Sequence, residues 1–297
     1  PLVERMRFLG IFSNNLDEFF RVRVATLRRM GVLDTNAKKE FGYDPKKILD
    51  RIQKTVVEQQ KEFERIFQEI IRKLESKGIV LLNEKQLSKE QGAFVRNYFQ
   101  TTVRQTLVPI MLDKKSKMLN LKDKMIYLAI KLSRSTDRSD FRYALIEVPT
   151  QVVSRFLVLP QGKSNKTNIL LLDDVVRFCL DDVFQIFDYD VLEAYTIKLT
   201  RDAELDIDDD MQQGMVEKIQ RSLKKRKLGQ LVRFIYDAEI PPDLLIFITR
   251  KLKLENNKNL IAGGRYHNFK DFIKFPGIGD ASLQNEELPP LTHPDLI

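Results

Sequence analysis

Ile70-Ile71-Arg72-Lys73-Leu74-Glu75-Ser76-Lys77-Gly78-Ile79-Val80-Leu81-Leu82 is the stretch on which the fold class turns. Up to Lys77 the apolar residues keep helical spacing, and upstream the stripe continues through Phe67, Phe63, Val56, Ile52 and Ile48. Gly78 supplies a helix stop. After it the period is lost, and Ile79–Leu82 reads as a short strand. Toward the amino terminus, Pro45 suits the first turn of this long helix. Residues 31–44 read as a polar loop containing Gly42. Before them Leu2, Met6 and Leu9, then Leu16, Phe19, Phe20, Val24 and Leu27, recur at helical spacing. The cap-prone run Ser13-Asn14-Asn15 predicts a break, with a second helix starting there. Three helices of this kind form a small bundle whose apolar residues are core.

Toward the carboxyl terminus, Ser88 caps a helix running through Phe94, Tyr98 and Val103. Strands are predicted at residues 125–132, 143–148, 156–159, 194–199 and 232–236, with helices near 172–185, 209–227 and 242–253. They mix without strict βαβ alternation, which points to a mainly antiparallel sheet. The fold class is therefore mainly α with α+β. A three-helix bundle (1–77) is followed by an α+β domain (78–284) and a proline-rich linker (285–297).

The 297 residues are 43% hydrophobic and 31% charged, a balance that can build a core. No apolar run approaches the roughly 18 residues of a transmembrane helix, and no signal peptide opens the chain. One cysteine, Cys179, excludes an internal disulfide and fits a reducing cytosol; its apolar surroundings predict a buried, inert thiol. With only His267 and His293 beside it, a Cys/His zinc site is not expected. Pro1 at the front, and an end at Ile297 without a stop signal, read as cuts in a longer polypeptide. The net charge of +8 is uneven: residues 1–77 hold 17 basic and 12 acidic side chains, a balance that suits a polyanionic partner.

No Walker loop, GxGxxG, GxSxG or HExxH is present. Asp173-Asp174 and Asp181-Asp182 read as helix caps or solvent-facing pairs. The acidic cluster 206–210 complements a helix start, and the basic run 221–227 a helix end. Asn15-x-x-Glu18 and Asn14-x-x-Asp17 both have capping-box spacing, so the residues alone favour a cap at Asn15. Its carboxamide, with one acceptor and two donors, also matches an adenine edge. Arg5, Arg7, Arg21, Arg23, Arg28 and Arg29 form the basic excess. They serve either to steer phosphates or as a solvated face paired with Glu4, Asp17 and Glu18.

Four runs resemble one family, in family order and spanning nearly the whole chain: residues 1–20 (Pro1 to Phe20), 173–184 (Asp173 to Phe184), 200–206 (Thr200 to Asp206) and 263–272 (Gly263 to Phe272). The chain resembles the polyphosphate kinases that work through a phosphohistidine. The resemblance implies four domains: a helical amino-terminal one, an α+β head domain used in dimer contacts, and two phospholipase-D-like catalytic domains. It implies reversible transfer of the terminal phosphate of ATP to polyphosphate, with Mg2+ and the nucleophilic histidine belonging to the catalytic domains, beyond this chain. The family's opening helix, upstream of Pro1, is missing as well. It assigns Asn15 to ATP, at the adenine, with the cap passing to Ser13 or Asn14. Arg21 and Arg28 become candidates for phosphate steering, and no catalytic or metal-binding residue is expected here. His267 then locks the junction through packing rather than acting as nucleophile. Expected partners are ATP/ADP, polyphosphate and a second copy of the chain through the head domain, with no specific nucleic acid. The expected location is cytoplasmic, with membrane association as part of a complex also allowed. The rival is a standalone, non-catalytic module binding ATP or polyphosphate, or serving dimerisation.

Overall fold

The computed structural model describes residues 1–33, 42–113, 121–161, 165–203, 231–254, 260–286 and 288. The helix expected over 209–227, the acidic cluster 206–210, the basic run 221–227 and most of the tail 285–297 lie outside these residues.

Helix α1 (Leu2–Phe19) does not break at Ser13-Asn14-Asn15. It passes through a π-helical turn, Phe20–Val24, straight into α2 (Ala25–Leu33). The predicted interruption is thus overturned. Val3, Met6, Leu9, Gly10, Asp17, Phe20 and Val24 form one continuous buried face, and that burial overrides the weak local preference of serine and asparagine for caps. The real irregularity is the π turn, a one-residue insertion of the kind common at functional sites.

Helix α3 (Pro45–Ser76) begins as predicted. Asp44 caps it by accepting from the Lys46 amide at 3.0 Å, Pro45 fills the first turn, and the chain leaves through Gly78 at φ +79°. α3 packs along both α1 and α2.

Strand β1 (Ile79–Leu82) follows, then α4 (Lys89–Tyr98), whose Ser88–Gln91 capping box is complete. The remaining strands are β2 (Ile110–Leu112), β3 (Ile126–Ser133), β4 (Phe141–Glu147), β5 (Phe156–Val158), β6 (Thr167–Leu171), β7 (Val191–Arg201), β8 (Leu231–Asp237) and β9 (Leu260–Gly263). Helices α5 (Leu172–Phe178) and α6 (Leu180–Phe184) precede β7, and α7 (Pro242–Lys251) lies between β8 and β9. One sheet runs β2-β4-β3-β7-β8-β9 and a smaller one β1-β6-β5. All neighbours are antiparallel except β8–β9 and β1–β6. Strands β2, β6 and β9 have three to five residues, too short for a periodicity to show.

The helical layer shares a core with later segments. Phe63 and Phe67 of α3 each meet the Phe269 ring edge-on at 4.8 Å, and Phe272 and Phe275 extend the stack to Phe156. At this layer buried charges tie the pieces together. Asp17, on the inner face of α1, is 1% exposed. It accepts from Lys198 of β7 at 2.5 Å and stands 3.6 Å from Arg233 of β8, whose guanidinium covers the Phe20 ring. Burial pushes Lys198 below the ordinary lysine range, opposed by Asp17, and pulls Arg233 down to about 10.

Asp173 and Asp174, expected to cap a helix or face solvent, do neither: both are fully buried in the first turn of α5. Arg155 grips Asp173 with two nitrogens, at 2.7 and 2.9 Å, and also reaches Asp271 and the His267 carbonyl. Asp174 accepts from Arg177 at 2.8 Å, Arg265 at 3.0 Å and the Tyr266 hydroxyl at 2.6 Å. A carboxylate enters the interior only with donors in direct contact, and these come from up to 92 residues away, which a local reading does not reveal. Asp181 and Asp182 do stay near the surface, both paired with Arg96.

Arg265 and Tyr266 thus anchor their segment to Asp174, and the neighbouring His267 carbonyl accepts from Arg155. The His267 imidazole is buried against Lys198, Arg233 and Arg155, and burial first, then those cations, lower its pKa to about 3.

Two outcomes follow from this packing. At Gly10 a Cβ would stand 2.7 Å from the Ile273 amide nitrogen and 2.9 Å from the Phe269 carbonyl, both backbone atoms. Gly10→Ala should therefore lower stability by about 1–3 kcal/mol, against the gain of nearly 1 kcal/mol that helix propensity alone gives alanine; an unchanged or higher urea midpoint would refute the close approach. For His267, the folded ring titrates near 3 and the unfolded one near 6.5, so unfolding takes up a proton between these values. Stability then falls as pH drops below about 6.5. Between about pH 7.5 and 5.0, wild type should lose roughly 2 kcal/mol more than His267→Gln. Equal losses in urea titrations of the two proteins would show that the imidazole is not held neutral.

Candidate functional site

The outer face of α1 is apolar where a monomer's surface is ordinarily polar. Phe8, Ile11, Phe12 and Phe19 recur at spacings of three, four and seven, and are 66%, 40%, 38% and 37% exposed. Asn15 stands in the same stripe, exposed and in the helix interior. The cap reading of Asn15 is thereby overturned, because the backbone is helical on both sides of it. Its carboxamide makes no hydrogen bond among the described residues, so both donors and the acceptor face outward.

Two grooves flank this stripe between α1 and α3. One, of about 600 Å3, is lined by Phe8, Leu9, Phe12, Phe63 and Ile66, with Arg5 at its edge. The other, of about 370 Å3, is lined by Leu16, Phe19, Ile52 and Val56, with Arg51 beside them. Gln59 of α3 borders both. Flat aromatic and aliphatic walls with a few polar groups are what a planar heterocycle needs: apolar area for affinity and one amide for orientation.

Phe19 is one of the residues the helical pattern assigns to the core, and the structure moves it to the surface. Phe8, Ile11 and Phe12 are functional candidates that the residue pattern alone does not single out. The signal was nonetheless present. Apolar residues at 8, 9, 11, 12, 16, 19 and 20 cover about half the helix circumference, and Val3, Met6 and Val24 carry the band on round the buried side; a helix apolar over so wide a band has more than one partner.

Arg28 reaches the start of β8, whereas Arg21 turns to the segment before β3. Arg21 holds Asp123 at 3.2 Å and Glu18 at 3.3 Å, and Arg28 donates to the Leu231 carbonyl at 3.4 Å. Burial lowers the Arg28 guanidinium to about 10. Arg29 pairs with Asp202. The expected bridges to Glu4 and Glu18 form, Arg7–Glu4 at 2.6 Å and Arg21–Glu18, whereas Asp17 goes inward to Lys198. Cys179 is buried and its thiol is pushed up to about 12, chiefly by burial, in keeping with an inert residue. Among the described residues no group of three or more His, Cys, Asp or Glu is placed to hold a metal, and no helix is long and apolar enough to cross a membrane.

Comparison with known proteins places this geometry. Residues 1–82 match the family model of the polyphosphate kinase N-terminal domain, and residues 90–275 that of the polyphosphate kinase middle domain. The chain is 40% identical over 296 residues to the polyphosphate kinase of Yersinia pestis, and 43% identical over 300 residues to that of Vibrio cholerae. Each alignment takes in 99% of this chain and 42% of the relative. The crystal structure of polyphosphate kinase from Porphyromonas gingivalis superposes with a TM-score of 0.75 at 28% identity, over 97% of this chain and 39% of that one. The chain thus spans about two fifths of the length of the curated relatives it matches. On the two domain matches, which together take in most of its length, the chain belongs to the polyphosphate kinase family.

Proposed function

We propose that this chain is the nucleotide-contacting and subunit-pairing part of an ATP–polyphosphate phosphotransferase, which moves the terminal phosphate of ATP reversibly to polyphosphate. The observation that carries the reading is Asn15: an outward carboxamide without an internal partner, on an exposed aromatic stripe between two grooves. In this reading Asn15 binds the adenine edge while the neighbouring aromatic faces give it apolar area. Arg21 and Arg28 act through their charge on the approach of phosphates, since their guanidinium groups are held by Glu18, Asp123 and the Leu231 carbonyl.

In this reading Mg2+ acts in the catalytic domains of the full-length enzyme, outside this chain. The phosphohistidine belongs to the part of the relatives that this chain does not span, and His267, buried and neutral, is suited to structure instead. We take 1–77 and 78–284 as its two working units. Pairing of subunits is supported by the unpaired edge strand β2 and its surroundings. Val108, Ile110, Phe141 and Ile246 are exposed there around a groove of about 850 Å3. A cytoplasmic location is in keeping with the lone, unoxidised cysteine.

In the full-length enzyme carrying this segment, Asn15→Ala should raise the Michaelis constant for ATP by about 5- to 30-fold, the loss of roughly 1–2 kcal/mol of hydrogen bonding. Turnover at saturating ATP should change less, because adenine binding is largely uniform between ground and transition states. The melting temperature should hold or rise slightly, alanine being the better residue in a helix interior. An unchanged Michaelis constant would sink the ligand reading. The isolated 297-residue chain, incubated with radiolabelled ATP and magnesium, should yield neither polymer nor acid-labile phosphoprotein. Labelling abolished by His267→Ala would move the chemistry into this segment.

A further inference from the structure

We infer that Asp17 is a positioning residue for nucleotide recognition: its buried ion pair with Lys198 fixes the rotation of α1 about its own axis and so aims Asn15 outward. The inference rests on the reading of Asn15 given above. At 3.6 residues per turn, residues two apart lie about 200° apart, so Asp17 and Asn15 occupy nearly opposite faces of α1. Asp17 is buried, whereas Asn15 is exposed.

Gly10, through its close approach to the Ile273 backbone, fixes the first half of α1; nearer Asn15 the apolar residues set the rotation only loosely. Leu16, Phe19 and Phe20 share one broad arc of the helix beside Asn15, running from the exposed Phe19 to the buried Phe20, and Phe12 remains exposed there too. Hydrophobic contact is non-directional, so a helix apolar over a broad arc can turn while still burying comparable area. The charges cannot turn in this way. Lys198 lies 1% exposed in the middle of the large sheet and Arg233 3% exposed on the next strand, with Asp17 within 2.5 and 3.6 Å of them. Rotating α1 by one residue would bring Leu16 or Glu18 to that place. Leucine would leave two buried cations without a counter-charge. Glu18, the longer acid, would have to abandon Lys124 and Arg21. Fixing a register is the best-attested use of a buried polar pair.

The surroundings reinforce the pin. Asp17, Lys198, Arg233, His267 and Asn268 line a narrow gap of about 30 Å3, room for about one water, so the ion pair stays largely dry. The π turn begins three residues beyond Asp17, at Phe20. It relieves the fixed register there, so that α2 can present Arg28 and Arg29 to the end of the β7–β8 pair.

A double-mutant cycle in the full-length enzyme carrying this segment tests the inference, with Asn15→Ala, Asp17→Asn and both together. Lys198→Met serves as a second way to remove the pin should Asp17→Asn fail to fold. Assays run well below each variant's melting temperature. Asp17→Asn should raise the Michaelis constant for ATP about 3- to 10-fold with turnover within about twofold, and in the Asn15→Ala background it should change that constant by less than about twofold. Its loss of melting temperature should be the same in both backgrounds, since stability does not pass through Asn15. If Asn15→Ala raises the constant while Asp17→Asn leaves it alone, or the two effects multiply, the positioning role is overturned and the Asn15 reading stands. If Asn15→Ala itself has no effect, both fall.

Discussion

Burying a carboxylate without a cation beside it costs more free energy than most single contacts return. This chain does it at Asp17, where α1 meets the large sheet, and at Asp173 and Asp174 within the later part of the chain. Each is matched by cations in direct contact. Asp17 draws Lys198 and Arg233, Asp173 draws Arg155, and Asp174 draws Arg177 and Arg265. Removing one member of such a set leaves the others buried and uncompensated, a loss of about 3–5 kcal/mol by analogy with other proteins. The Asp17 set thereby holds the segments on either side of Gly78 in one relative arrangement. The Phe63, Phe67, Phe269 and Phe272 stack adds area to that arrangement and much less direction.

That arrangement gives α1 two distinct faces. The inner face carries Val3, Met6, Leu9 and Asp17 into the core and lets Gly10 touch the backbone at Ile273. The outer face leaves phenylalanines and one unpartnered carboxamide in the open. Exposed aromatic residues are ordinarily a liability, and their grouping around a polar recognition group is the pattern of a binding surface. Rigidity on one side and availability on the other come from the same helix, which is economical for recognition: a preorganised amide loses little freedom on binding.

Much of the architecture was legible from local pattern. The change of period across Gly78 separated helix from strand, and Pro45, Ser88 and Gly78 marked the element ends where caps and stops form. Six strands were readable because apolar, β-branched and aromatic runs lie between turn residues. The expected break at Ser13-Asn14-Asn15 did not survive, because a cap preference of about 1 kcal/mol yields to a continuous buried face. Asp173 and Asp174 were misplaced for a related reason. Local spacing offers them a cap, while their true partners are assembled only when β5, β6 and the 265–271 segment come together.

For the candidate site the division is similar. Asn15 was singled out through its motif, yet its sequence surroundings admitted a cap as readily as a ligand contact; only the uninterrupted helix removes the first reading. The inward turn of Asp17, the exposure of Phe8, Phe12 and Phe19, and the attachment of Arg21 to Asp123 and of Arg28 to the Leu231 carbonyl were decided by tertiary structure. By itself the sequence determined which segments are helix or strand, where most of them end, and the family resemblance, because these depend on residues within a few positions of one another. Which face of α1 is buried, and which charges meet in the dry interior, depends on contacts between distant parts of the chain, such as Asp17 with Lys198, 181 residues away. Those contacts exist only after the chain has folded, since desolvating a charge is tolerable only once its partner is already in place.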